Sequence, residues 1–411
     1  MAPRERPLTE RSNRVGPLGF VLAFGLVSML ADVVYEGARS ITGPFLATLG
    51  ASGALVGFVT GFGEAVSLVL RLGTGPLADR TRRYWPLTIA GYLVTIVAVP
   101  LMALAQTLWQ ASLLVVAERF GKAVRTPARD TMLSHAGTVV GQGKAFAVHE
   151  ALDQSGAFVG PLLVALMVAV SGFQAGFAIL AIPGVLAVIA VLWVRRAVPS
   201  PERYDRDHPQ GAAGGPKPTE GAVRLPRTFW WYSTFTAASM LGFATFAVIS
   251  YHLEVRSVLP GPLIPVAYAV AMGAAALAAL GSGALYDRLG LGGLLIALPL
   301  AAAVPFLSFS TEVALVWVGA AVWGAAMGMH ESTLRAAVAD LVPSAHRGTA
   351  YGTFTAIYGL AWLAGSTIIG ALYEVSIPAV VVFTLATQAL ALALMIPLLR
   401  EGRRGHSRSA G

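Results

Sequence analysis

Twelve times in 411 residues the sequence runs for about 20 positions almost without charge before a short polar stretch interrupts it. A helix rises about 1.5 Å per residue, so each run is long enough to cross the hydrocarbon of a bilayer. Backbone in lipid must satisfy its own hydrogen bonds, which makes the helix the expected element of every run. The runs lie near 17–38, 53–73, 84–104, 107–127, 145–170 and 174–195, then near 229–251, 263–285, 289–309, 312–335, 349–373 and 377–399. The expected fold class is an all-α membrane protein with a polar tail over 1–16, six spans over 17–195, a Pro- and Gly-rich linker over 196–228, six spans over 229–399 and a tail over 400–411. Length alone would allow two or three soluble domains, but 56% hydrophobic and 12% charged residues exclude them.

A formal charge of +8 fits either nucleic acid or a membrane surface, and the positions of the basic residues decide. They gather in alternate loops: Arg80, Arg82 and Arg83, then Arg125, Arg129 and Lys144, then the 196–228 linker, then Arg400 onward. Only Arg39 and Arg256 fall between the other spans. This asymmetry places both termini in the cytoplasm and removes nucleic acid as a partner. The chain has no cysteine, which excludes disulfides, thiol catalysis and cysteine-based metal sites. The N-terminal apolar run is too long for the core of a cleaved signal peptide.

The polar link Gly75-Pro76-Leu77-Ala78-Asp79-Arg80-Thr81-Arg82-Arg83 reads as a tight turn, in which Gly75 lets two helices approach and Asp79 accepts hydrogen bonds from a helix N-terminus. Gly283-Ala284-Leu285-Tyr286-Asp287-Arg288 repeats its Gly-to-Asp spacing. At a similar offset Arg129 aligns with Arg335, Gly143-Lys144-Ala145-Phe146 with Gly348-Thr349-Ala350-Tyr351, and Gly160 with Gly365. Both copies hold six spans and start on one side, so they are parallel repeats forming two pseudo-symmetric six-helix bundles.

Charge inside a span is expensive and points to a bundle interior or a water-filled cavity. It occurs in span 1 (Asp32, Glu36), span 2 (Glu64, Arg71), span 4 (Glu118, Arg119), span 5 (Glu150, Asp153) and span 10 (Glu331, Arg335), while spans 3, 6, 9 and 12 have none in their cores and are expected to face lipid. Asp32 lies some 22 Å into span 1 and Glu36 one turn beyond on the same face. Desolvation and mutual repulsion favour a bound proton on such a pair, as a coupling site requires; the alternative is an Asp32–Arg39 ion pair. Glu64 is expected either to serve coupling or to pair with Arg71. Glu331 and Arg335 are spaced for a salt bridge on one helix face. His330 and His252 lack ligand spacing, so no metal site is expected. ATP-binding, metalloprotease and nucleophile-elbow motifs are absent, which argues against an enzyme and leaves an ion gradient or the substrate itself as the source of any transport energy.

The segment Glu118-Arg119-Phe120-Gly121-Lys122-Ala123-Val124-Arg125-Thr126-Pro127-Ala128-Arg129-Asp130 ends span 4, with Pro127 expected to stop the helix. With Asp32…Glu36, the Gly75–Arg83 link and Gly143-Lys144-Ala145-Phe146…Asp153, it resembles a bacterial efflux-permease branch of the major facilitator superfamily, over nearly the whole chain. The resemblance implies a cavity lined by spans 1, 4, 7 and 10. It also implies a cytoplasmic gate of Gly75, Asp79, Arg80, Arg83, Arg125, Arg129, Asp287 and Arg288, in which Asp79 latches to the start of span 11. Gly156-Ala157-Phe158-Val159-Gly160-Pro161 resembles the helix-packing signature of the superfamily's proton antiporters, with Gly156, Gly160 and Pro161 in place and apolar residues where a glycine pair follows. The implied protein is a monomeric, cofactor-free, multi-pass transporter of the bacterial inner membrane, exporting a small amphipathic or toxic compound against protons. The proton and cavity candidates are Asp32, Glu36, Glu64, Glu118, Arg119, Asp153, Glu331 and Arg335. A nutrient importer or uniporter, and a divalent metal-ion exporter, are the alternatives within the fold.

Overall fold

A computed structural model describes residues 13–207, 225–342 and 346–409; most of the expected N-terminal tail and of the linker lies outside the described residues. The helices are α1 (Pro17–Thr48), α2 (Gly53–Val69), α3 (Arg71–Thr81), α4 (Tyr84–Leu101), α5 (Leu108–Val140), α6 (Gln142–Ile179), α7 (Ala181–Ala197), α8 (Arg203–Asp207), α9 (Arg227–Leu241), α10 (Phe246–Val255), α11 (Leu263–Leu289), α12 (Ala297–Ser308), α13 (Val313–Leu341), α14 (Arg347–Val375) and α15 (Ile377–Ser409). Among the described residues, ten stretches have the length and hydropathy of a membrane span. One of them, Gln142–Ala197, is two spans, because the helix breaks at Ser171 and at Gly172, whose φ of 76° suits glycine. The twelfth is α5, whose six Asp, Glu, Lys and Arg residues lower its hydropathy.

Three expected boundaries move, two of them because a partner distant in sequence compensates a feature that looks like a stop. Span 1 does not end at residue 38: α1 runs to Thr48 and carries Arg39 inside the membrane, where two carboxylates neutralise it, so Arg39 belongs to no loop. Pro127 does not stop span 4, since α5 continues to Val140. Proline cannot supply the N–H that Ala123 O would accept, and the hydroxyl of Thr74 donates to that oxygen instead at 2.8 Å. The Gly75–Arg83 link is not a turn for most of its length, because α3 extends to Thr81 and the chain reverses at Arg82, with φ of 52°. Nothing stands within 4 Å of a Cβ built on Gly75, so that glycine mediates no close helix approach here.

The two halves repeat one packing device. A Cβ on Gly160 of α6 would lie 2.4 Å from Val33 O of α1, and one on Gly365 of α14 would lie 2.2 Å from Leu241 O of α9. Backbone thus meets backbone at both seams, in the manner of small-residue contacts in membranes. Between the halves, α2 presses on α14 and α1 on α10, where a Cβ on Gly43 would meet Ala247 O at 2.1 Å. Span 7 is broken between α9 and α10, and Ala244 O, freed in the break, accepts from Trp323 Nε1 at 2.8 Å. Exposed apolar residues line α4 (Leu93, Val97), α7 (Ile182, Ile189) and α15 (Val382, Leu390), a surface suited to lipid.

An even number of spans brings both chain ends to one face, the terminal face. Towards the opposite, far face the halves are sealed by the contacts of α2 with α14 and of α1 with α10. The α2–α14 contact continues towards the terminal face, where a Cβ on Gly359 would lie 3.1 Å from Leu68 and one on Gly352 would lie 2.6 Å from Leu72. Glu331, ten residues from the end of α13, and Glu150, eight residues into α6, are both exposed, and Glu150 accepts from Gln154 at 3.0 Å. The start of the linker is strapped to the first half. Asp205 of α8 bonds His135 Nδ1 at 2.5 Å and accepts from Thr138 at 2.8 Å, and Tyr204 donates to Val15 O at 2.6 Å.

Candidate functional site

Spans 1, 2 and 4 bring a buried ion network to the middle of the membrane. Arg39 contacts Glu64 at 2.9 Å and Glu36 at 3.7 Å. Arg119 contacts Glu64 at 3.2 Å and, through Nε, Glu118 at 3.2 Å, and donates to the Tyr35 hydroxyl. Every one of these side chains is almost fully enclosed, so each charge depends on its neighbours for solvation. The expected Glu64–Arg71 pair is absent: Glu64 is held by two other arginines, and Arg71 points Nη2 at Ser67. An Asp32–Arg39 pair does not form either, because Arg39 turns to Glu36 and Glu64. A small void beside the network is lined by Glu64, Glu118, Thr42, Thr60 and Thr245, and Glu118 Oε1 faces no hydrogen-bond partner.

The second half meets this network with aromatic rings. Tyr268 of α11 donates to Glu36 Oε2 at 2.5 Å, a direct polar link between the halves, and Thr245 lies 3.2 Å from Thr60. Behind Tyr268, Phe246 packs edge-on at 4.6 Å and Trp323 at 5.2 Å from Phe246, with Phe243 and His330 beyond. His252 is likewise a structural residue, bonded to the Tyr373 hydroxyl at 2.9 Å and Ser310 O at 3.2 Å. Among the described residues no group of three or more His, Cys, Asp or Glu is placed to hold a metal ion.

One to two turns towards the terminal face lies a second cluster. Asp153 contacts Arg129 at 3.7 Å and His149 Nδ1 at 3.4 Å, while His149 Nε2 meets Ser28 at 2.8 Å. Ser28, His149 and Asp153 stand in the order of a hydrolase triad. Ser28 is only 1% exposed and shares its hydroxyl with Tyr92, leaving no room for an acyl substrate. Asp32 sits beside this cluster, against Gly156, whose Cβ would lie 3.1 Å from that of Asp32 and 2.3 Å from Met29 O. Asp32 has no hydrogen bond or ion pair among the described residues.

The sequence matches the Major Facilitator Superfamily over residues 22–366. The chain belongs to the major facilitator superfamily. It is 52% identical to an uncharacterized protein of Mycobacterium tuberculosis over 92% of each chain, and 25% identical to an uncharacterized MFS-type transporter of Methanocaldococcus jannaschii over 87% of this chain and 89% of that one. Among solved structures, its fold is similar to that of the nucleoside transporter NupG, with a TM-score of 0.69 at 16% identity over 92% of this chain and 98% of the other. A bacterial homolog of the human lysosomal transporter Spinster, in an inward-facing and occupied conformation, gives 0.68 at 17% identity over 92% and 96%. The protein is therefore a membrane transporter of this superfamily for a small molecule, and not an enzyme.

Of the residues expected at a site, Glu36, Glu64, Glu118 and Arg119 converge in one network, and Asp32 and Asp153 share the second cluster. Glu331, on α13, is exposed. The side chains of Asp287 and Arg335 lie outside the described residues. The expected latch is not formed: Asp79 is exposed and no ion pair joins it to Arg125 or Arg129. Arg125 instead donates to Thr95 at 2.7 Å and lies over the Tyr92 ring, and Arg129 holds Asp130 and Asp153. From sequence, Tyr35, Lys122, His149 and Tyr268 had no role at the site, and Arg39 was a loop residue with Asp32 as its alternative partner. His149 was discoverable from its i,i+4 spacing to Asp153, and Lys122 from its i,i+4 spacing to Glu118; Tyr268, an aromatic in an apolar run, carries no such signal.

Proposed function

We propose that this superfamily member is a proton-coupled exporter of a small amphipathic or toxic compound, acting as a monomer in the bacterial inner membrane with both termini in the cytoplasm. The bodies that rock are residues 17–195 and 229–399, joined by the linker over 196–228. The observation that carries coupling is the environment of Asp32, a half-buried carboxylate deep in a span with no ion pair or hydrogen bond among the described residues. A proton can bind there without breaking any existing contact, whereas Glu36 and Glu64 are each engaged by arginine and would lose a partner on neutralisation. The terminal face is the cytoplasmic one on this reading. On this reading the gate residues Gly75, Asp79, Arg80, Arg83, Arg125, Arg129 and Arg288 lie towards that face, and closing it brings Asp79 to the start of α14.

The test is flux in everted membrane vesicles across a panel of amphipathic compounds, with and without an imposed proton gradient. Accumulation of at least one compound that collapses with the gradient is expected. Uptake that ignores the gradient, or movement only out of the vesicles, contradicts the reading and favours a uniporter or importer.

A further inference from the structure

Among the described residues, every charged side chain in the mid-membrane parts of α1, α2, α5 and α6 except two holds a hydrogen bond or an ion pair. The exceptions are Asp32 on α1 and Lys122 on α5, both half-buried. They are opposite in charge and among each other's nearest charged neighbours, yet no oxygen of one lies within 4 Å of the nitrogen of the other. Two such groups in a poorly solvating interior attract strongly, so something must hold them apart. The Lys122 ammonium rests on the face of the Tyr35 ring, 3.8 Å from its centroid. Tyr35 is itself fixed, its hydroxyl accepting from Arg119 and from Arg39. Asp32 is fixed by the α1–α6 seam, where its Cβ abuts Gly156. The gap is thus built by its surroundings.

We propose that Asp32 and Lys122 are the two poles of a substrate subsite for an amphoteric ligand, which sets a cationic group on the Asp32 carboxylate, an anionic group on the Lys122 ammonium and its apolar body beside the Tyr35 ring. This rests on the transporter reading above and narrows its substrate to zwitterionic amphipathic compounds. Glu36 from α1, Arg125 and Arg129 from α5 and Asp153 from α6 complete the charged surroundings of Asp32; Arg119, Glu36 and Tyr35 complete those of Lys122. Asp32 then takes either a proton or the ligand's cation, and the two compete for one carboxylate. That competition gives proton and substrate opposite preferences for the same site, which is the linkage an antiporter needs.

Three probes with one ring system separate the poles: 3-(1-naphthyl)alanine, 2-(1-naphthyl)ethylamine and 3-(1-naphthyl)propionate, titrated by calorimetry into the purified full chain in lipid nanodiscs at pH 7. A charge-assisted contact is worth about 1.5–3 kcal/mol, so naphthylalanine should bind about tenfold or more tighter than either single-charge probe. Asp32→Asn should bring naphthylalanine to the affinity of the propionate, and Lys122→Gln to that of the amine. Lys122→Arg and Asp32→Glu, which keep the charges, should retain the preference and control for folding. Equal binding of the three probes, no binding by any of them, or an order of affinities unmoved by both neutral variants overturns the subsite. The transporter reading fails separately. If the parent exports in everted vesicles but does not discriminate the probes, the subsite is wrong and export stands; if it discriminates them but moves nothing with the gradient, the subsite stands and coupling falls.

Discussion

The two halves share a backbone plan and differ in what they put at one seam. At the offset that aligns Arg129 with Arg335, Glu118 and Lys122 of α5 fall opposite Gly324 and Gly328 of α13. In the second half those glycines let α13 press against α11, and a Cβ on them would stand 1.9 Å from Ala271 O and 2.1 Å from Ala275 O. There is no space for a side chain, and the wall facing the centre is a packed group of Tyr268, Phe246 and Trp323. In the first half the same positions carry an acid and a base, and ion pairs among α1, α2 and α5 occupy the seam. One repeat has become a close-packed aromatic platform and the other the holder of a buried ion network. Duplication supplies the fold, and side-chain divergence at matched positions supplies the division of labour.

Placing side chains on the platform should do the greatest damage. Gly324→Ala introduces a backbone collision that cannot be relieved by rotating a side chain, and a loss above about 3 kcal/mol is expected, read as poor yield and a lowered midpoint in thermal unfolding of the purified protein. A variant as stable as the parent would show that the α11–α13 seam has slack and that the contrast with the first half is overstated.

Breaking the charged seam should come next. Arg119→Met leaves Glu64 with one arginine and Glu118 with none, and breaking a buried pair by removing one partner costs about 3–5 kcal/mol. Adding Glu118→Gln to the same chain should recover a measurable part of that loss, because the orphaned charge is gone. No recovery in the double variant would mean that Arg119 acts through packing on Tyr35 and not through its charge.

The smallest effect is expected where the halves touch. Tyr268→Phe removes one hydrogen bond to a carboxylate and leaves both bundles intact, so stability should hardly change. The state sealed at the far face should lose about 1.5 kcal/mol. Single cysteines placed at far-face positions of this cysteine-free chain should then label about tenfold faster. Unchanged labelling would assign the seal to the glycine contacts of α1 with α10 and α2 with α14.

The fold was legible because bilayer thickness imposes a length on each apolar run, and that rule needs no partner information. Its failures have one cause. Arg39 and Pro127 look like stops in a local window, yet Glu64 and Thr74, 25 and 53 positions away, supply the charge and the hydrogen bond that let the helices continue. For the site, the acids of spans 1, 2, 4 and 5 stood out as charges in apolar runs. Their pairing did not, since Arg39 had been assigned to a loop and Asp32 therefore lacked its true description as an acid without a partner. The contribution of the second half was invisible, because a tyrosine among valines and alanines carries no sign of the carboxylate it will meet.

The sequence offered Asp32 and Glu36 as equivalent members of one pair, whereas the structure separates them: Glu36 bridges the halves and Asp32 stands unpaired. The most direct test of the whole account compares Asp32→Asn with Glu36→Gln in everted vesicles, with transport expressed per folded molecule and binding followed across pH. Asp32→Asn is expected to abolish gradient-driven accumulation while weaker, pH-insensitive binding persists, and Glu36→Gln to retain gradient dependence with an altered rate. Gradient-driven accumulation that survives in Asp32→Asn at the parent's level would contradict the account and move the coupling acid to Glu118 or Asp153.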